Sequence, residues 1–162
     1  MCKRFVFRIC KNTTDLFFAM EFQISPSQFG VRQGVQLPDP EILRHLKEEG
    51  VRKLISDHYD LLAKSEIKNL FPGNPVALEK AKENSADFFI QVMGGPDYFN
   101  QHRGQPKLVQ RHIRFKITDS ARLVWLQCYQ QLFPALDLPD NLKHSFWNYL
   151  NVFSNWMVNT PE

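Results

Sequence analysis

His112 stands in the run Arg111-His112-Ile113-Arg114-Phe115-Lys116-Ile117, a short basic and aromatic stretch. Gly94-Gly95-Pro96 and Arg103-Gly104-Gln105-Pro106 precede it, and Trp125 follows on a strongly patterned helix. A loop-mounted imidazole facing a helical wall of aromatics can hold a haem iron from one side. A single histidine is more often an ordinary core or surface residue than a ligand, so its neighbours must carry the argument. Other chemistries lack their signatures. No Ser-His-Asp order, HExxH helix or phosphate-binding glycine loop is written in the chain, which removes the hydrolase and nucleotide readings.

The elements that must position this histidine fit one domain: 162 residues are enough for a real core but not for two. Fourteen Phe, four Tyr and three Trp exceed what a minimal core needs. They build either an aromatic core or a lining for a planar apolar ligand. A net charge of +3 is too mild to argue for nucleic acid, and no extended basic face with interleaved aromatics is visible. Cys2, Cys10 and Cys128 form no CxxC or CxxCH. Structural zinc and covalent haem attachment are therefore not indicated, and a reducing cytoplasm is the simplest setting. Cys128 reads as a small buried hydrophobe. No apolar stretch approaches the roughly 20 residues that a membrane helix requires. Residues 1–19 break every apolar run with charge and read as a poorly ordered extension, not a secretory signal.

The domain boundary falls at about residue 38: residues 1–38 form an N-terminal extension, partly extended or disordered, and 39–162 the folded domain. Pro26, Gly30, Gly34, Pro38 and Pro40 make residues 21–40 an extended arm, with at most a short strand, that packs over the domain. Asp39-Pro40 reads as a cap followed by proline at the first helical position, and Gly50 as a break. A second helix from Val51 to about Ser65 carries Leu54, Ile55, His58, Tyr59 and Leu62 at helical spacing. After Phe71, Asn74 caps a helix over 75–93 that Gly94-Gly95-Pro96 ends. Its inner stripe holds Ala81, Ser85, Phe88, Phe89 and Val92; Glu79, Lys80, Lys82, Glu83 and Asp87 mark its outer face. Residues 96–118 are irregular or in short helices. A helix from Asp119 or Ser120 to about Phe133 turns Leu123, Trp125, Leu126, Tyr129 and Leu132 inward and Arg122 to its polar side. The last helix opens at Pro139-Asp140, with Leu142, Phe146, Leu150, Phe153 and Met157 on one face. The fold class is all-α.

The order of these residues resembles the truncated haemoglobins, the two-over-two helical sandwich globins, most narrowly group II. The matching string is Gly94-Gly95-Pro96, Tyr98, Arg103-Gly104, Pro106, Leu108, Arg111-His112, Phe115, Ile117, Arg122 and Trp125-Leu126, continuing more weakly into Tyr149-Leu150 and Val158-Asn159. It covers about residues 40–160. The resemblance implies haem b (iron protoporphyrin IX) with His112 as the proximal iron ligand. It further implies Tyr59 and Trp125 as donors to a bound ligand and Phe71 as the corner aromatic against the porphyrin. Ala81 and Ser85 take the two distal positions, with Phe88 on the same stripe, and Tyr98, Arg111 and Arg114 are candidates for the haem propionates. Met93 replaces a frequent aromatic, Ile113-Arg114 replaces a pair commonly small or proline-containing, and the segment between Phe71 and Gly94 is slightly long, so the distal register is open.

The function implied is reversible binding of dioxygen, and of nitric oxide or carbon monoxide, with tight binding and slow release. The alternative is a haem enzyme that performs nitric oxide dioxygenation or peroxidase-like chemistry. That chemistry needs a separate reductase, because the chain holds no flavin or nicotinamide domain. A haem-free helical interaction module is the third class. Either a monomer or a homodimer fits; neither nucleic acid nor membrane is an expected partner. His45, His58, His102 and His144 read as surface or outer residues, not ligands.

Overall fold

A computed structural model describes residues 22–27 and 29–162. The N-terminal extension up to Glu21, with Cys2 and Cys10, lies outside the described residues. Six α-helices follow the arm: α1 (Glu41–Leu62), α2 (Pro75–Val92), α3 (Tyr98–Arg103), α4 (Leu108–His112), α5 (Asp119–Leu132) and α6 (Asp140–Phe153). Single 3-10 turns occupy Lys68–Leu70, Phe133–Ala135 and Ser154–Met157. No strand occurs among the described residues. The fold is an all-α helical sandwich in which α1 packs against α2, α5 and α6. No described helix is long and apolar enough to cross a membrane.

The local signals explain most boundaries. The Asp39 carboxylate accepts from the Glu41 N–H at 2.9 Å, opening α1 behind Pro40. Asn74 accepts from the N–H groups of Val76 and Ala77 at the start of α2. At its end Gly94 takes φ +82°, and the Gly95 N–H returns to the Ile90 carbonyl at 2.9 Å. A Cβ on Gly95 would lie 2.7 Å from both Ile90 and Leu43, so only glycine lets α1 and the end of α2 approach this closely. Thr118 caps α5 through the Ala121 N–H.

Three expectations are corrected. The first helix does not break at Gly50: α1 runs through it and kinks instead at Lys47, whose φ is +58°. Arg122 is not on a solvated face; it is 3% exposed, while Leu123 beside it is 41% exposed. Lys82 and Asp87 are buried as well, Lys82 paired with Asp60 and Glu79, Asp87 with Arg52 and His102. For Arg122, Lys82 and Asp87 a partner from another segment recruits a charge that helical periodicity alone assigns to water.

The arm is laced to the helices. Phe22 is buried against Phe133 and Trp147. Gln130 donates to the Phe22 carbonyl, Trp147 to that of Gln23, Asn155 to that of Val31 and Trp156 to that of Gln33. Arg122 donates to the Ser25 carbonyl at 2.9 Å and also to Asn151 and Ser154. Side-chain donors thus serve the arm's carbonyls, as a neighbouring strand would in a sheet.

Candidate functional site

The short helix α4 ends on His112, and α1, α2 and α5 supply the facing walls of a cavity of about 540 Å³. The imidazole's position is fixed twice. Its Nδ1 sits 2.7 Å from the Leu108 carbonyl, one turn back, and a carbonyl can only accept. Nδ1 therefore carries the proton, and Nε2, which makes no hydrogen bond among the described residues, keeps its lone pair. The His112 main chain is held from the far end of the chain: Asn159 donates to the His112 carbonyl at 3.1 Å and accepts from the Ile117 N–H at 3.1 Å. Burial, offset by the Leu108 bond and aided by the charge of Arg114, lowers the imidazole's pKa. A neutral ring with one committed N–H and one free lone pair is what metal ligation by histidine needs.

Opposite walls bring Tyr59, Phe71, Ala81, Ser85, Phe88 and Trp125 onto the same cavity. Tyr59 lies edge-on to Phe71, with ring centroids 5.6 Å apart. Burial raises its phenol pKa while pairing with Ser85 draws it back. Trp125 packs edge-on against His58 and Tyr129, and its indole N–H has no hydrogen-bond partner among the described residues. Arg103, Arg111, Arg114 and Lys80 add positive charge to the lining.

Nine of the ten residues singled out from the sequence line this space; Tyr98 does not. Its hydroxyl donates to Glu48 at 3.2 Å and its ring stacks on His102, so it holds α3 to α1. Arg111 reaches the cavity, yet its guanidinium donates to the carbonyls of Arg103, Gln105 and Pro106 and lies over the Phe99 ring. That arrangement ties down the loop leading into α4.

Sequence reasoning underrated two contributors. His58, read as a surface or outer residue whose place beside Tyr59 could influence the pocket, is fully buried in the cavity wall itself. It stacks on Tyr129 at 3.5 Å, and its Nε2 donates to the Trp125 carbonyl at 3.0 Å. Burial pushes its pKa down to about 3, so the ring is neutral at ordinary pH. Its spacing with Leu54, Ile55 and Leu62 on the buried stripe of α1 was the available signal. Asn159 lies outside any helix, and only its place at the weak end of the matching string marked it.

Residues 46–159 match the bacterial-like globin family. The chain is 27% identical over 116 residues to group 2 truncated hemoglobin YjbI of Bacillus subtilis, spanning 71% of this chain and 86% of that protein. It is 37% identical over 79 residues to group 2 truncated hemoglobin 3-1 of Lotus japonicus, 48% of this chain and 47% of that one. Among solved structures, phosphate-bound Hell's gate globin IV superposes with a TM-score of 0.78 at 33% identity, covering 86% of this chain and 88% of that chain. The truncated oxygen-avid haemoglobin of Bacillus subtilis superposes with a TM-score of 0.67 at 25% identity, over 73% and 98%.

Proposed function

This chain belongs to the bacterial-like globins, within the truncated two-on-two fold, and from that premise we propose that it binds haem b through His112 and uses it to hold diatomic ligands, dioxygen first. The observation that carries the reading is the imidazole itself: Nδ1 donates to the Leu108 carbonyl and Nε2 is left with a free lone pair beside an aromatic cavity of about 540 Å³. That volume lies within the roughly 300–1,000 Å³ of typical cofactor and ligand pockets. His112 is the residue that would hold the haem, which would supply a ferrous iron able to take up a diatomic ligand.

The chain's own residues do the rest. The Leu108 bond keeps the His112 ring in the ligating tautomer, and Asn159 keeps its backbone in place. Phe71, Phe88 and the apolar parts of the walls exclude water. Trp125 offers an unspent N–H and Tyr59 an O–H shared with Ser85, two polar hydrogens on the walls that face His112. His58 anchors the Trp125 backbone and so sets the indole's distance from α1. Arg103 and Arg114 are the cations available for the propionates, since the guanidinium of Arg111 is engaged with backbone carbonyls and Lys80 is paired with Glu83 at 2.8 Å. Trp125 together with Tyr59, and the names of the relatives, support placement in group II. The oxygen-avid Bacillus subtilis structure supports dioxygen as the ligand.

Hemin titration of the purified protein tests this. A Soret band that saturates at one haem per chain, and a five-coordinate ferrous spectrum lost in His112→Ala, are expected. A protein that stays colourless, or a His112→Ala variant with the parental spectrum, overturns the assignment.

A further inference from the structure

A second cavity, of about 480 Å³, opens between the arm, α4, α6 and the last 3-10 turn. Phe88, Leu108, Phe153 and Met157 line both it and the cavity that holds His112, so the two share a wall. Apolar side chains dominate the second cavity, and among the described residues its only charged side chains are Arg32 and Lys107. No carboxylate lines it, and neither cation forms an ion pair among the described residues.

The presentation of Arg32 is built into the fold. Asn155 holds the Val31 carbonyl at 3.0 Å and Trp156 holds the Gln33 carbonyl at 2.9 Å, so the backbone is pinned on both sides of Arg32. Lys107 is fixed in a left-handed conformation, φ +39°, where the chain enters α4. Leu37, 63% exposed, contributes an uncovered apolar surface to the same cleft.

We propose that this cleft binds a single-chain carboxylate amphiphile, a free medium-chain fatty acid. Its headgroup meets Arg32 and Lys107, and its chain lies along Leu37, Tyr149, Phe153 and Trp156. Charge complementarity favours the occupant: Arg32 and Lys107, solvent-exposed at the cleft and without an ion pair among the described residues, attract an anion, and the apolar walls take a tail. A bare inorganic anion would leave those walls wet, and a neutral lipid would gain nothing from the two cations. The site is independent of haem, because Arg32, Lys107 and Trp156 line the second cavity and not the first.

Titration of the purified protein with laurate, read by calorimetry and tryptophan fluorescence, tests the assignment. One site per chain is expected, with a fluorescence change that disappears in Trp156→Phe. Affinity should rise about fourfold per methylene from decanoate to laurate, from about 0.8 kcal/mol per buried CH₂. Arg32→Glu/Lys107→Glu should bind laurate at least ~tenfold more weakly with unchanged circular dichroism, and dodecanol should lose a comparable factor on the parent protein. Laurate binding insensitive to the double substitution, equal binding of dodecanol, competition with hemin for one site, or binding only to anionic vesicles would each overturn the proposal.

Discussion

Replacing His58 by glutamine is expected to flatten the acid limb of this protein's stability curve. The folded state holds the His58 ring fully buried with a pKa of about 3, while the unfolded chain restores the ordinary value of 6.5. The folded pKa is the lower one, so between those values the unfolded state binds a proton that the folded state refuses. The stabilising effect is therefore complete above about pH 6.5 and lost as the pH falls, at about 1.4 kcal/mol per unit. At about pH 4.5 the loss is roughly 2.7 kcal/mol. This figure changes little if the folded pKa is a unit higher, because pH 4.5 still lies above it. Against a total stability of about 5–15 kcal/mol for a domain, it is a large share. Glutamine can still donate to the Trp125 carbonyl but does not titrate. Urea unfolding of both proteins at about pH 7.5 and 4.5 gives the stability gap between them at each pH. His112, whose pKa is also lowered by burial, contributes equally to both and cancels. The gap should move by roughly 2.7 kcal/mol in favour of the variant on acidification. A gap constant within about 0.5 kcal/mol, the usual scatter for independent sites, would refute the burial argument.

Three further outcomes follow from contacts elsewhere. Arg122→Met strips donors from the Ser25 and Asn151 carbonyls and from Ser154; it should cost roughly 3 kcal/mol or more in urea unfolding and expose the arm near Ser25 to limited proteolysis. Asp87→Asn weakens the bonds from Arg52 and His102 together; because both partners are partly exposed, a loss of about 1–2 kcal/mol is expected by the same measurement. If haem binds as proposed, Trp125→Phe and Tyr59→Phe should each speed dioxygen release about fivefold, corresponding to about 1 kcal/mol for one hydrogen bond. Stopped-flow mixing of the oxygenated protein with carbon monoxide reads that rate, and unchanged release in both variants would remove them as donors.

The parts of this fold that were legible in the sequence are those fixed by short-range chemistry. Asn74-Pro75 and Gly94-Gly95-Pro96 bracket α2 because capping and positive φ depend on adjacent residues. Leu142, Phe146 and Leu150 are buried on α6 as their period requires, but the helix ends at Phe153 and the expected last member of the stripe, Met157, falls in the 3-10 turn that follows. Nine site residues meet in one cavity because they sit on inner stripes or on the short loops between them. What the sequence hid depends on contacts distant along the chain. Arg122 and Leu123 are neighbours about 100° apart on a helix, and pattern gives the apolar one to the core. The structure does the reverse because Ser25, 97 residues away, offers a carbonyl where the guanidinium can go. Asp87 is drawn inward by Arg52 and His102, and Tyr98 is drawn away from the cavity by Glu48. The kink at Lys47 has no local marker comparable to Gly50, which the helix simply runs through.

The arm poses a problem that its mode of attachment resolves. An extended segment on a helical surface has no partner strand, and its carbonyls would lie against α5 and α6 unpaired. Here donors from Gln130, Trp147, Arg122, Asn155 and Trp156 each take one carbonyl between Phe22 and Gln33. Such a ladder fixes register, since a slip of one residue in an extended chain turns the alternate face inward and breaks every bond at once. An apolar seam would hold the arm as tightly without fixing where Arg32 falls. Arg122 also lines the cavity of His112, and the last 3-10 turn, where Trp156 sits, contributes Met157 to the wall shared by both cavities. The ladder that sets the arm's register is therefore built from the same elements that shape both cavities, and displacing the arm should disturb the two together.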